Sequence, residues 1–302
     1  MMPGKNWQEK KNPKISIVIV NYNGEKYVSG LLNSIKKTKY SNYEVIFVDN
    51  TSSDNSLKIV RKNFPNTKII ANKINRGFSG GLNDGIKKSK GEYVVIMNTD
   101  MLVHPDWLTF LMETMNSDEK IGLVGYARLF PGTEKIEMLG HKAVNENLGK
   151  FNKIGAGQNL GKFLKKGPIK ADFCLGMIRK SILAKTGLFD EKTFAMYEEV
   201  DFCRRVRDKG YKILVDPRAK VWHFVSQSLK KTGPFRIYYA YRNRMRYILQ
   251  HNKGFGKIYY PLALMPTYFY KAIKFSLQGN PNAGWTIIRG IGWNIKNWKD
   301  YL

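Results

Sequence analysis

The chain has 302 residues, 43% of them apolar and 25% charged, which is enough for one large domain or a domain with an appendage and excludes disorder, collagen and small disulfide scaffolds. Its two cysteines, Cys174 and Cys203, lie in apolar stretches without CxxC spacing, so neither a zinc cluster nor a disulfide framework is indicated and a reducing compartment fits. The 51 basic residues against 24 acidic ones leave a net charge of +27, which calls for an anionic partner: nucleic acid, a membrane surface or phosphorylated substrates.

No apolar stretch precedes Ile15, and no window reaches the roughly 18 uncharged apolar residues of a spanning helix, so a cytoplasmic location is expected. Residues 1–13 read as a flexible N-terminus. Short β-branched runs at 15–20, 44–48, 67–71 and 93–97 then alternate with helical patterns at 27–37, 56–63 and 79–88. That alternation predicts βα units around a mostly parallel sheet flanked by helices, an α/β nucleotide-binding half. A helix is expected from 105 to 116 with Pro105 in its first turn, then a strand near 123–127 and a Gly/Lys/Asn-rich stretch from 132 to 168 of loops and short strands at a site mouth. Regularity resumes at 172–178, with a helix from Lys180, an acidic helix start at Tyr197 running to Lys209, and strands near 213–215 and 221–223. A boundary falls near 226–233, dividing residues 14–228 from a tail of 229–302 whose helices are expected to break at 254–256, at Pro266 and at 279–281.

Several short strings carry chemistry. In VIFVDNTSSDNS, Asp49 follows a buried run at the carboxyl edge of the sheet, where open α/β sheets hold ligands, and its carboxylate suits a ribose or base; Asp54 reads as a cap of the next helix. NRGFSGGLNDG (Asn75 to Gly85) sets glycines at a helix start, either for close approach of a ligand or for close helix packing, and Arg76 adds a diphosphate or base contact. YVVIMNTDM places Asn98 and Asp100 just past a strand end, two hard oxygen ligands suited to Mg2+ or Mn2+ against a diphosphate, or else an Asx turn. MYEEVDF crowds Glu198, Glu199 and Asp201 at a helix start; one of them could serve as a general base, or all three could complement the helix dipole. His223 in VWHF is a metal ligand or a buried structural histidine. His104, His141 and His251 have no ligand-spaced neighbours.

Taken in order, SIVIVNYNG, VDNTSSDNS, NRGFSGGLNDG, MNTDM, GMIRKSILAKTGLFDE and MYEEVDFCRRVRDKGYKI followed by VWH resemble the inverting glycosyltransferases of family 2, of the GT-A fold, and in particular a rhamnosyltransferase-like branch that acts on glycan or lipid-linked acceptors. The resemblance covers about residues 14–226, beyond which only YRNRMRY is similar to a string of that branch. It implies a metal-dependent transferase using a nucleotide-diphosphate sugar, with Asp49 on the nucleotide, Asp100 as second acid of the DxD motif, His223 completing the metal shell and Glu199 as catalytic base. It further assigns Asn21, Asn23, Asn75, Arg76, Gly77, Asn83, Asn98 and Thr99 to the nucleotide-sugar site, and Glu198 and Asp201 to the acceptor. The departures are Asn98 at the first DxD position and a glutamate, Glu199, where the pattern has aspartate.

From 230 to 302 there are 13 Lys and Arg against one acid, Asp300, together with 16 of the 39 aromatics. Helices at 235–250 and 258–277 with cations on one side and aromatics on the other suit an anionic membrane surface, placing the protein peripherally on the inner face of the cell membrane; the alternative is packing on the catalytic unit or on a second copy as a homodimer. Arg242 and Asn243, with Arg244 and Arg246, would meet a pyrophosphate on a lipid-linked acceptor. A nucleic-acid binder is disfavoured, because the basic residues are spread along the chain and the acidic clusters would repel a phosphate backbone. A sugar-1-phosphate nucleotidyltransferase would want a Gly-rich basic loop after the first strand, where this chain reads NYNGEKY.

Overall fold

The computed structural model describes residues 12–173, 175–224 and 233–301. The expected flexible N-terminus and the expected boundary near 226–233 fall largely outside them, as does Cys174. The first half alternates as the sequence predicts: β1 (Ile15–Asn21), α1 (Glu25–Lys36), β2 (Tyr43–Asp49), α2 (Ser56–Asn63), β3 (Lys68–Ala71), α3 (Gly77–Lys88) and β4 (Tyr93–Asn98). There follow β5 (Met101–Val103), α4 (Trp107–Asn116), β6 (Ile121–Leu129), β7 (Ile136–Met138), the hairpin β8 (His141–Asn145) and β9 (Lys150–Lys153), α5 (Gly161–Leu164), β10 (Ile169–Lys170) and β11 (Gly176–Arg179). The remainder is α6 (Leu183–Thr186), α7 (Glu198–Asp208), β12 (Lys212–His223), α8 (Pro234–His251), α9 (Gly256–Leu277) and α10 (Pro281–Lys296).

Ten strands form the main sheet in the order β10-β12-β6-β11-β4-β1-β2-β3, with β5 added to β12 and β7 to β6. The N-terminal half, β3-β2-β1-β4, is parallel, and β11 runs antiparallel between β4 and β6. Every residue of β1 is buried, the signature of a strand covered on both faces. The glycines of α3 serve that covering: a Cβ on Gly85 would lie 2.3 Å from Val18 Cγ1 and one on Gly81 2.8 Å from Val20 Cγ1, so the helix sits closer to β1 than any side chain permits.

Four local expectations are corrected. The two strands expected at 213–215 and 221–223 are one twelve-residue strand, β12, whose register against β6 shifts between Asp216 and Lys220; Pro217 has no N–H to give the ladder, and the Asp216 carboxylate takes the Arg218 N–H instead (2.9 Å). Asp172 does not belong to β11 but bridges to His141, the two exchanging backbone hydrogen bonds. Pro105 lies ahead of α4, whose N-cap is Asp106. Helix α9 does not break at Pro266 but continues through both Pro261 and Pro266, because burial of Leu264, Tyr268 and Ala272 against α8 and α10 outweighs the missing hydrogen bonds.

The three C-terminal helices share a second apolar cluster, centred on Ile237, Met245, Ile248, Tyr268, Ala283 and Ile287, which takes in Val200 of α7 and has Leu148, Phe151 and Tyr197 packed on it. Its most consequential contact is polar. Ahead of α7, Phe194, Met196 and Tyr197 hold φ of 60°, 68° and 68°, left-handed values that cost non-glycine residues about 1–3 kcal/mol each unless their surroundings impose them. Helix α8 imposes them: the Asn243 side-chain amide donates to the carbonyls of Thr193, Ala195 and Met196 at 2.8, 2.7 and 2.8 Å, and Arg242 donates to those of Lys192 and Thr193. Asn243→Ala takes the side-chain donor from the Ala195 and Met196 carbonyls, leaving Thr193 to Arg242, and should lower unfolding free energy by about 1–3 kcal/mol. An unchanged denaturant midpoint would show that the turn needs no clamp.

Candidate active site

The parallel register aligns Asn21 with Asp49 and Val20 with Asn98, so the carboxyl ends of β1, β2 and β4 carry polar side chains at one edge of the sheet. Asp49 is buried and fixed there, accepting from Asn21 Nδ2 (2.8 Å), Ser52 Oγ (2.6 Å) and the Ser52 N–H (3.1 Å). Asn21 also donates to Ser56 Oγ at 2.8 Å and accepts from Thr99 Oγ1 at 3.0 Å, which ties three strand ends together. Asp54 accepts from the Glu25 and Ser56 N–H groups (2.8 and 3.0 Å), the capping role read from the sequence.

The other residues assigned to the nucleotide-sugar site mostly shape its loops. Asn23, with φ 53°, accepts from the Ser53 N–H at 2.8 Å, and Asn75 accepts from the Gly77 N–H at 2.9 Å. Gly77, with φ +69°, leaves room for the Phe194 carbonyl, which a Cβ would approach to 2.4 Å. Arg76 pairs with Asp84 and, at 2.5 Å, with Glu191, and the Asn83 amide spans the Phe189 backbone at 2.9 and 3.0 Å.

Asp100 and His223 converge. Pairing of β5 with β12 sets His223 opposite Met101 and brings His223 Nε2 to 3.3 Å from Asp100 Oδ1. On the other side of the ring, His223 Nδ1 lies 2.7 Å from Glu137 Oε2, and Glu137 is held in turn by Arg128 at 2.9 Å. Burial disfavours the Glu137 charge, yet the His223 hydrogen bond and the Arg128 charge prevail and bring its pKa down to about 2. Burial also opposes charge on His223, and Asp100 and Glu137 outweigh it, so its pKa is raised. A carboxylate orienting the far nitrogen of an imidazole is the arrangement that presents Nε2 to a metal. The donor set of one carboxylate and one imidazole would suit a divalent ion; among the described residues there is no group of three or more His, Cys, Asp or Glu that could hold one.

A cleft of about 510 Å³ lies alongside, lined by Asn98, Arg128, His141, Glu198, Glu199 and Arg236, with Phe78, Phe151, Leu175 and Met196 as its apolar wall. Glu198 is buried and its Oε2 has no hydrogen-bond partner among the described residues. Burial first, then the neighbouring Glu199 and Asp201 charges, push it up to about 8, so the carboxyl is neutral at pH 7. His141 lines the same cleft with a buried Nδ1 that is likewise unpartnered among the described residues.

Three residues expected at the acceptor face elsewhere. Both Asp201 oxygens are engaged, by Arg205 at 3.0 and 2.7 Å and by His251 Nε2 at 2.8 Å, and Arg242 and Asn243 clamp the turn before α7. Buried groups of this kind are satisfied within the protein rather than left for a ligand. Conversely, His141, Arg128, Arg236 and Glu137 were not anticipated. His141 arrives through the β8–β9 hairpin and Arg236 through the first turn of α8, so neither has a sequence neighbour that marks it.

A family model, glycosyl transferase family 2, matches residues 16–186. The chain belongs to that family. Poly-beta-1,6-N-acetyl-D-glucosamine synthase of Staphylococcus epidermidis is 27% identical over 230 residues, covering 75% of this chain and 53% of the relative; its counterpart in Staphylococcus aureus strain COL is 27% identical over 229 residues with the same coverage. The chain therefore spans about half the length of these relatives. Two solved structures share the fold: GalNAc-T7 with UDP, GalNAc and Mn2+ (TM-score 0.66, 17% identity, 96% of this chain and 58% of that one) and S. aureus TarS 1-349 with UDP-GlcNAc (TM-score 0.59, 19% identity, 92% and 80%). The glycosyl transferase family 2 chain described here thus pairs a GT-A-like sheet with C-terminal helices.

Because Glu198 ionises at about 8 in the folded protein against an ordinary 4.5, the unfolded chain binds fewer protons between those values and stability falls as pH rises through that window. Glu198→Gln removes this slope. Its melting temperature relative to the parent should rise from pH 5 to pH 8, and parallel curves would show that folded Glu198 is charged.

Proposed function

We propose that the protein is a metal-dependent, inverting glycosyltransferase that moves a hexosyl or deoxyhexosyl group from a nucleotide-diphosphate sugar to a hydroxyl of a glycan or lipid-linked acceptor in cell-surface polysaccharide synthesis. The observation that carries this reading is one chain of contacts: Asn98, Glu199 and Arg128 line the cleft, and Arg128 is joined through Glu137 to the His223–Asp100 pair. A Mg2+ or Mn2+ ion held by Asp100 and His223 would neutralise the leaving diphosphate.

The protein's own groups divide the work. Asp49, whose oxygens accept from Asn21 and Ser52, shapes the nucleotide end of the site through the loop it holds. Glu199 accepts the proton of the acceptor hydroxyl as its oxygen bonds to the anomeric carbon and the bond from that carbon to the diphosphate breaks on the opposite face. Glu198, kept neutral beside it, adds no second negative charge to the incoming acceptor and can donate a hydrogen bond. The relatives and the TarS complex support a uridine-linked N-acetylhexosamine as donor, whereas the rhamnosyltransferase-like strings support a deoxythymidine-linked deoxyhexose. Donor hydrolysis measured across both, with each metal, distinguishes them.

Glu199→Gln should lower turnover by about 10²–10⁴-fold while nucleotide binding is retained, and full activity in that variant would remove Glu199 from the mechanism. Glu137→Gln leaves His223 in place but loosens its orientation. Mn2+ affinity by calorimetry in the presence of nucleoside diphosphate should weaken by about 10–100-fold, and an unaltered affinity would place the ion elsewhere.

A further inference from the structure

The exposed surface of α9 is the least expected face of the molecule. At 100° per residue, Ile258, Tyr259, Leu262, Phe269, Tyr270 and Ile273 fall within one arc about 120° wide, opposite the buried Pro261, Leu264, Tyr268 and Ala272. All six are exposed, Leu262 by 61%, and the arc runs on to Leu277 at 84%. Between α9 and α10 it deepens into an apolar groove of about 400 Å³ lined by Phe269, Ile273, Leu277, Trp285 and Ile288. Gly284 makes the groove, since a Cβ there would stand 2.5 Å from the Ala272 carbonyl and hold the helices apart.

The charges around this face choose its occupant. Lys274 beside Tyr270 on α9, and Arg289 and Lys296 on the Trp285 side of α10, are exposed. The lone acid of the described tail, Asp300, is engaged by Lys192 at 2.7 Å and Arg246 at 3.3 Å. Two copies meeting here would set cation against cation with no free carboxylate between them. An apolar strip edged by lysines and arginines, with Trp285 and Tyr270 at its border, matches instead the boundary between headgroups and acyl chains. No helix among the described residues is long and apolar enough to cross a membrane, so the helix lies along the surface.

We propose that the α9–α10 face docks on an anionic lipid bilayer, with α9 flat in the interface and the α9–α10 groove seating acyl chain. The inference stands apart from the transferase chemistry, because vesicle binding needs no donor.

Flotation of the full chain with vesicles of phosphatidylglycerol and phosphatidylcholine tests it. The protein should float with these at least about ten-fold more than with phosphatidylcholine alone, and the excess should shrink at high salt. The double variant L262E/I273E should abolish flotation, and K274E/K296E should reduce it about ten-fold, both with unchanged melting temperature and unchanged hydrolysis of donor in solution. Absence of flotation, or flotation indifferent to L262E/I273E, overturns the proposal. So does a dimer in sedimentation equilibrium that L262E/I273E dissociates while lipid binding is nil, which would give the face to a second copy.

Discussion

The geometry of the site depends on a clamp made by two adjacent side chains of α8. Asn243 and Arg242 together donate to backbone carbonyls across Lys192–Met196, and the turn they grip contains three non-glycine residues in left-handed conformation. Left to itself such a turn would relax, and α7 would begin at another angle with Glu198 and Glu199 pointing elsewhere. The grip is reinforced from the opposite side, where the Phe78 N–H donates to the Phe194 carbonyl at 2.7 Å and Gly77 leaves the space for it. Phe194 stacks on Tyr239 with ring centroids 5.2 Å apart. The strained turn is thus held between α3 of the N-terminal half and α8 of the tail, and α7 takes its direction from both.

The two acidic centres are tuned in opposite senses by their surroundings. Around His223, carboxylates on either side of the ring favour positive charge, and Arg128 keeps Glu137 ionised deep in the protein. No cation among the described residues pairs with Glu198, and burial and like charges keep it protonated. Asp201, one turn along the same helix, escapes that fate because Arg205 and His251 supply two partners, and its pKa is lowered despite burial. Three carboxylates that are nearly contiguous in sequence therefore end in three different surroundings. What separates them is which face of α7 each occupies, and whether a cation from another element reaches it.

This explains what the sequence could and could not disclose. The βα alternation was legible because it rests on local periodicity, and β1 to β4 appear within a residue or two of their expected limits. The Asp100–His223 pairing was legible only through the order of strings, since the contact depends on β12 returning beside β5. Arg242 and Asn243 were misread as acceptor groups for a physical reason: a run of basic and amide side chains looks the same on a surface facing phosphate as on a buried helix facing carbonyls, and burial alone decides. Arg236 and His141 left no local trace, being placed in the cleft by the packing of α8 and by the return of the β8–β9 hairpin. The prolines of α9 misled in the other direction, because helix-breaking propensity is weighed against apolar burial that a local window does not contain.

The same burial logic ties the tail's two faces together. Inward, α8 gives its polar residues to the clamp and its apolar ones to a cluster that includes Val200 of α7. Outward, α9 keeps a strip of large apolar side chains in solvent although the inner cluster has already been completed by Leu264, Tyr268 and Ala272. A helix held only by its inner face gains no stability from Leu262 or Ile273, and exposed residues of that size on one arc carry an aggregation cost. The tail thus divides its side chains by face, with α8 turned inward to the turn before α7 and α9 turned outward to solvent.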